Sequence, residues 1–218
     1  YANIRPTYTF DSLLEKSPIK KSIIQGTDLV FVRELTGGIY FGKRGRNKTD
    51  DYAYDTCEYN VNEIKRLAKI GFELAMKRSK KLCCIDKANV LETSRLWRQT
   101  VQSLEKNYPE VNVSYEFVDA VAMRLIHSPS YYDVLITSNL FGDILTDEAS
   151  VISGSMGLMP SASVGVETSI YEPIHGSFPQ AKGKNIANPL ATILSASMMF
   201  ERSFHLNDES KLIRDLVN

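Results

Sequence analysis

From Val61 to about Ser153 the chain alternates between two apolar periodicities, and this alternation restricts the fold more than any single motif does. Val61 to Lys80 carries Ile64, Leu67, Ala68, Gly71, Phe72 and Ala75 at helical spacing, the stripe of an amphipathic helix. Lys81 to Asp86 then reads as a strand, and Ser94 to Tyr108 as a helix stopped by Pro109. Val111 to Val118 alternates like a strand, Ala120 to His127 is helical, and Val134 to Ile136 is a short buried strand. Strands alternating with helices define an α/β class. Before this region, Thr27 to Arg33 is a strand-like run ending in charge. The glycine-bounded Gly37–Gly42 predicts a hairpin or projecting arm, with its tip in the charged stretch 43–55. After it come a glycine-rich exit at Gly154 and Gly157, a strand over Ser169–Pro173 and a helix from Pro189 to Phe204.

The 218 residues are 43% hydrophobic, enough to bury a substantial core, and the 26 Lys and Arg balance the 26 Asp and Glu. That balance argues against nucleic acid or a membrane surface as a general partner, since both favour a basic excess. Cys57, Cys83 and Cys84 are odd in number, lack a C-x-x-C and include an adjacent pair. This predicts neither a disulfide framework nor a zinc site, and suits a reducing, cytoplasmic compartment. No run reaches the ~18 apolar residues of a membrane span. The chain opens on Tyr1 rather than Met and reads as the continuation of earlier sequence, which leaves an organelle signal open.

The chemistry gathers at Ser138–Glu148. The Val134 run leads into polar residues and Gly142, a loop signal, and a helical pattern begins at Asp143. Asp143 and Asp147 are four apart, about 40° offset on one helix face. Two carboxylates there suit a hard cation such as Mg²⁺ or Mn²⁺, which takes oxygen ligands and keeps positions for water and substrate. The competing explanation is the plain preference of acidic residues for a helix N-terminus; Glu148 adds a third charge. Arg5, Arg33, Lys87 and Asp119 each follow an apolar run, and strand ends are where α/β sheets bind ligands. Singly, each would be a surface ion-pair partner. Together, two arginines could clamp a carboxylate through matching fork geometry. The chain has no G-x-G-x-x-G, and Gly183-Lys184 lacks the earlier glycine of a P-loop. His127, His175 and His205 share no ligand spacing.

Five stretches carry a resemblance: Asn3-Ile4-Arg5-Pro6, Val32 through Gly42, Ile85 through Val90, Asn139 through Asp147, and Gly183 through Pro189. In this order they resemble the isocitrate/isopropylmalate dehydrogenase family of metal-dependent β-decarboxylating dehydrogenases. Arg33-Glu34-Leu35-Thr36-Gly37-Gly38-Ile39-Tyr40-Phe41-Gly42 is similar to the isopropylmalate branch. The resemblance implies a two-domain α/β fold, with residues 1–153 as the central substrate, metal and dimerisation domain (its arm near 35–57) and residues 154–218 as part of the nucleotide-binding domain. It implies that Arg5 and Arg33 bind substrate carboxylates, that Tyr40 helps protonate the enol after decarboxylation, and that Lys87 handles the proton of the 2-hydroxyl. Asp119, Asp143 and Asp147 would hold Mg²⁺ or Mn²⁺. His175, Gly176, Ser177, Gln180 and Asn188 would hold the adenosine half of NAD, which accounts for the missing dinucleotide fingerprint. Lys87 and Asp119 would reach into the partner's site, making a homodimer the active unit.

Two departures stand out. Compared with the family, the N-terminal portion and the C-terminal helical end are lacking, and Gln180 stands where isopropylmalate enzymes usually carry an aspartate. Homoisocitrate, tartrate or malate, and isocitrate are the alternative substrates within the family. A Mg²⁺-dependent pyrophosphate enzyme would be largely helical, against the repeated strands here. A non-catalytic regulatory subunit would tend to lose metal or base residues, yet Lys87, Asp119, Asp143 and Asp147 are all present.

Overall fold

The computed structural model describes residues 1–217. In chain order the elements are β1 (Ala2–Tyr8), a short α1 (Lys21–Ile24), β2 (Asp28–Glu34), β3 (Arg44–Arg46), β4 (Ala53–Asp55), α2 (Val61–Lys77), β5 (Lys81–Asp86) and α3 (Glu92–Glu105). There follow β6 (Asn112–Phe117), α4 (Val118–His127), β7 (Val134–Thr137), α5 (Asn139–Ser153), β8 (Pro160–Val164), β9 (Ser169–Pro173), α6 (Leu190–Ser203) and α7 (Asn207–Val217).

Seven strands form one mixed sheet in the order β6-β5-β7-β2-β1-β8-β9. Strands β6, β5, β7 and β2 run parallel, whereas β1 is antiparallel to both of its neighbours and β9 to β8. Side chains alternate between faces along a strand, and here both faces are buried. Ile4, Val30, Val32, Leu82, Cys84, Val134 and Ile136 pack on one side with Ile64, Leu67 and Phe72 of α2 and Trp97 and Val101 of α3. Leu29, Phe31, Cys83, Ile85 and Leu135 pack on the other with Val121 and Leu125 of α4 and Leu145, Ala149 and Ile152 of α5. Helix α2 is started by a capping box, the Asn60 side chain accepting from the Glu63 N–H while Glu63 accepts from the Asn60 N–H at 2.9 Å. Gly71 lets it lie directly on β7, since a Cβ there would sit 2.3 Å from Ile136 Cγ2.

The alternation also settles where the charged residues point. Ile4 and Val32 face α2, so Asn3, Arg5 and Arg33 face α5. The register sets Asn3 opposite Arg33 and Arg5 opposite Phe31.

The α/β class and most elements match the sequence reading; helix α7 lies beyond the last element read from the sequence, and there are three further differences. Helix α5 begins at Asn139 rather than Asp143. Ser138 sits at its N-cap with extended backbone, so the residues that read as loop are its first turn. The arm is the β3–β4 hairpin, while Gly38–Tyr40 forms a 3₁₀ turn ahead of it. Strand β8 (Pro-Ser-Ala-Ser-Val) has no sequence signature, being small, polar and led by proline; it is recruited by pairing with β1. Strands β8 and β9 thus extend the sheet that the earlier strands build. Among the described residues no helix is long and apolar enough to cross a membrane.

Candidate active site

The four parallel strands end at one edge of the sheet, and β1, running the other way, begins there. This edge carries Arg33 at the end of β2, Thr137 at the end of β7, and Lys87 and Asp119 just beyond β5 and β6. The carboxyl edge is the ligand-binding edge of α/β sheets.

Arg33, Arg5, Tyr40 and Asp143 form one connected group. Arg33 is 7% exposed. Its Nε and Nη2 donate to Asn139 Oδ1 at 3.1 and 2.8 Å, and its Nη1 pairs with Asp143 Oδ1. Tyr40 donates its hydroxyl to the other Asp143 oxygen at 2.6 Å. That bond, more than burial, pushes the Tyr40 phenol up from its ordinary value and keeps the proton on it. Arg5 donates through Nη1 to Thr146 Oγ1 at 2.5 Å and through Nε to Asn3 Oδ1. Burial, then the charge of Arg33, lowers the Arg5 guanidinium to about 10, against the attraction of Asp143, Asp147 and Glu172. The two cations are thus offset by Asp143 and Asp147, and the group is near neutral in charge by itself.

Asp147 follows Asp143 by one helical turn, is exposed, and its carboxylate has no partner among the described residues. Oxygen donors of this kind fit Mg²⁺ or Mn²⁺, which bind through one or two protein carboxylates and complete their shell with water and substrate. A third carboxylate does not arrive from the same chain. Among the described residues no three His, Cys, Asp or Glu side chains lie close enough to share a metal.

The sheet order supplies the reason. With strands ~4.8 Å apart, β5 and β6 lie roughly 10 and 14 Å along the edge from β2, and α5 leans over β2 and β1, away from them. Lys87 and Asp119 pair with each other instead, Nζ to Oδ1 at 2.7 Å, with the ammonium over the Phe117 ring. The Lys87 hydrogen bond holds the exposed Asp119 carboxyl below the usual carboxylate range. The turn bearing Lys87 is fastened by Asp86, which is 1% exposed, accepts from Arg98 Nε and Nη2 at 2.7 and 3.0 Å, and receives the Ala88 N–H at 2.9 Å.

The segment with His175, Gly176, Ser177, Gln180 and Asn188 leaves the end of β9 as an exposed loop with a single 3₁₀ turn at Pro179–Ala181. His175 Nδ1 lies 3.0 Å from Gly176 O, and Asn188 Oδ1 accepts the Leu190 N–H at 3.0 Å as α6 begins. Gly176, Ser177 and Gln180 present polar groups to solvent. They are not in the Arg33 group; Glu172, just before the loop, is the residue near enough to act on Arg5.

Sequence reading missed the residues that hold this group in place. Asn139 carries Arg33; its Nδ2 donates to Gly37 O at 3.2 Å and its backbone N–H to Tyr59 Oη at 2.9 Å. Glu34 is fully buried and accepts from the Thr36 N–H and hydroxyl and the Gly37 N–H at 2.8, 2.6 and 2.7 Å, fixing the turn that delivers Tyr40. The usable signal was position: Asn139 lies one helical turn before Asp143, as Asp147 lies one after.

Gly142 sits between these parts. A Cβ there would meet Arg33 Cγ at 2.6 Å, Arg33 Cβ at 2.9 Å and Thr137 Cγ2 at 3.0 Å. Gly142→Ala gains about 1 kcal/mol of helix propensity, yet overpacking against a side chain pinned at both ends costs about 1–3 kcal/mol. We expect a lower thermal midpoint and, in a crystal structure of the variant, Arg33 displaced from Asp143. A raised midpoint with Arg33 in place would show that the contact is loose.

The chain matches the isocitrate/isopropylmalate dehydrogenase family over residues 1–218. It is 56% identical over 218 residues to the 3-isopropylmalate dehydrogenase of Bacteroides fragilis strain YCH46, covering 100% of this chain and 61% of that protein. It is 54% identical over 221 residues to the 3-isopropylmalate dehydrogenase of Clostridium acetobutylicum, covering 100% of this chain and 62% of that one. The chain thus spans about three-fifths of the length of these curated relatives. Among solved structures, the isocitrate dehydrogenase of Methylococcus capsulatus superposes with a TM-score of 0.88 at 33% identity, over 97% of this chain and 61% of that one. The TT0538 protein of Thermus thermophilus superposes with a TM-score of 0.87 at 32% identity, over 98% of this chain and 42% of that one. With a family match along its entire length and more than half of its residues identical to curated members, the chain belongs to the isocitrate/isopropylmalate dehydrogenase family.

Proposed function

We propose that the protein catalyses the NAD-dependent oxidative decarboxylation of 3-isopropylmalate to 2-oxoisocaproate, a step of leucine biosynthesis, assisted by Mg²⁺ or Mn²⁺. The observation that carries this reading is the Arg5–Arg33–Asp143–Tyr40 group. Its two arginines balance Asp143 and Asp147 in charge, so a divalent cation leaves the site suited to a ligand with two carboxylates. Arg5 and Arg33 bind those carboxylates. Lys87 accepts the proton of the C2 hydroxyl, and Tyr40 delivers a proton to the carbon that has lost CO₂; NAD, when bound, would supply the hydride acceptor. Asp143 and Asp147, with Asp119 contributed by a second copy of the chain, would hold the metal, which would supply Lewis-acid polarisation of the C2 oxygen. His175, Gly176, Ser177, Gln180 and Asn188 face the adenosine half of the dinucleotide. Residues 1–153 act as the substrate, metal and dimerisation domain with the arm, and residues 154–218 belong to the nucleotide-binding domain. The three free cysteines and the balanced charge suit a cytoplasmic protein without nucleic-acid or membrane partners. The first test is NAD reduction by the natural full-length protein on a panel of 2-hydroxy diacids and triacids. 3-Isopropylmalate should be preferred, and turnover should vanish in chelator and in Asp143→Asn. Full activity of that variant in chelator would exclude the metal assignment, and a preference for homoisocitrate, tartrate, malate or isocitrate would move the protein within its family.

The two separate groups along the sheet edge support shared sites in a homodimer, as the match at Lys87 and Asp119 implies. Inactive Lys87→Ala and Arg33→Ala dimers, mixed under subunit exchange, should recover activity, because each mixed dimer holds one site with both residues intact. Proven exchange with activity at the single-variant floor would mean that the sites are not shared.

Gln180 bears on dinucleotide choice. Its amide can hydrogen-bond a ribose hydroxyl, but lacks the charge with which an aspartate would repel the 2′-phosphate of NADP. Lys182 and Lys184 are exposed nearby. NAD should be preferred, and Gln180→Asp should raise the ratio of kcat/KM for NAD over NADP roughly tenfold or more, chiefly by worsening NADP. An unchanged ratio would withdraw Gln180 from the ribose contact.

A further inference from the structure

We propose that Asn3 and Asn139 are positioning residues that aim the two site arginines without neutralising them, keeping guanidinium charge for the carboxylates of the ligand. This rests on the dicarboxylate reading above and deepens it. Arginine is donor-only, so whatever backs it must offer an acceptor. At Arg98 and Arg78 that acceptor is a carboxylate on Nε: Asp86 holds Arg98, and Asp133 holds Arg78 at 2.5 Å. At the site it is an amide oxygen. Asn3 Oδ1 takes Nε of Arg5, and Asn139 Oδ1 takes Nε and Nη2 of Arg33. Among the described residues no carboxylate lies within hydrogen-bond distance of Arg5, whose second contact is the Thr146 hydroxyl. The single carboxylate on Arg33, Asp143, approaches from the open side of the site through Nη1.

Both amides are themselves locked. Asn3 is 3% exposed, and its Nδ2 donates to Ser163 Oγ at 2.9 Å and Ser161 Oγ at 3.4 Å; Ser161 in turn donates to the Glu172 carbonyl at 2.9 Å. Asn139 is 2% exposed and tied to Gly37 and Tyr59. Asn3 and Arg33 are direct cross-strand partners, with Arg5 two residues further along β1. The two arginines therefore stand on adjacent strands and share one face. A carboxylate at either position would pair with its arginine and weaken its grip on an external anion. Burial first, and then the charge of Arg33 across this gap, lower the Arg5 guanidinium, and a bound dianion would relieve the repulsive part.

Asn3→Asp is the decisive variant. It keeps the shape, and the Ser161 and Ser163 hydroxyls can turn to donate to the new carboxylate. In the natural full-length protein, with 3-isopropylmalate as the probe, KM should rise roughly tenfold or more while kcat stays within about threefold and the thermal midpoint is unchanged. Asn3→Ser, which retains a neutral acceptor, should stay closer to the parent KM than Asn3→Leu, which has none. An unchanged KM in a folded Asn3→Asp, or equal KM values for the Ser and Leu variants, overturns the proposal. If the parent neither binds nor turns over any 2-hydroxy dicarboxylate, the functional reading falls first and the inference goes with it.

Discussion

A buried guanidinium at the end of β2 is the constraint on which the rest of the site depends. Arg33 cannot lose its charge, so its N–H groups need acceptors once the side chain leaves water. The chain answers with the first turn of α5, which brings Asn139 under Nε and Nη2 and Asp143 beside Nη1. For a helix to come so close, its residue over the Arg33 stem must lack a side chain, and Gly142 does. Asn139 then reaches beyond the arginine to Gly37 and Tyr59, joining α5 to the turn that carries Tyr40. One charge-driven contact thereby sets the start of a helix, a glycine inside it and the root of the arm.

The distribution of charge along the sheet edge follows from strand order. Arg5 and Arg33 lie on neighbouring strands and lean toward α5, where Asp143 and Asp147 offset them. Lys87 and Asp119 lie on the far side of β7 and close on each other. Each group is near neutrality by itself, which lets the edge remain open to water without ligand. The two groups stand on separate parts of one sheet, and neither collapses onto the other within the chain.

Much of this was legible from the order of residues. The alternation of helical and strand periods made the α/β class and the order of elements from α2 to β7 readable, since those elements bury continuous apolar faces. Of the candidate residues, Arg5, Arg33, Lys87 and Asp119 stood out as charged groups at the ends of apolar runs and Asp143 and Asp147 by their spacing, while the others were named only through resemblance to a family. Strand β8 was not, because a short strand of serine, alanine and proline has no periodic apolar signal and exists through its pairing with β1. The start of α5 was misplaced because Ser138 and Gly142 are loop-forming residues in local terms; Gly142 is instead a packing residue, which only contact with Arg33 reveals.

What the sequence by itself determined is therefore the class of fold and, in local pattern, Arg5, Arg33, Lys87 and Asp119 after apolar runs with Asp143 and Asp147 one helical turn apart; Tyr40 entered only through the resemblance. Periodicity and local composition carry that information without long-range contacts. Which of these groups meet, and which amides hold them, was decided only by tertiary structure. Asn3 and Asn139 are ordinary polar residues in sequence. They become the seats of Arg5 and Arg33 because strand register and helix placement bring together residues that local pattern cannot relate, and because a buried charge fixes the arrangement once they meet.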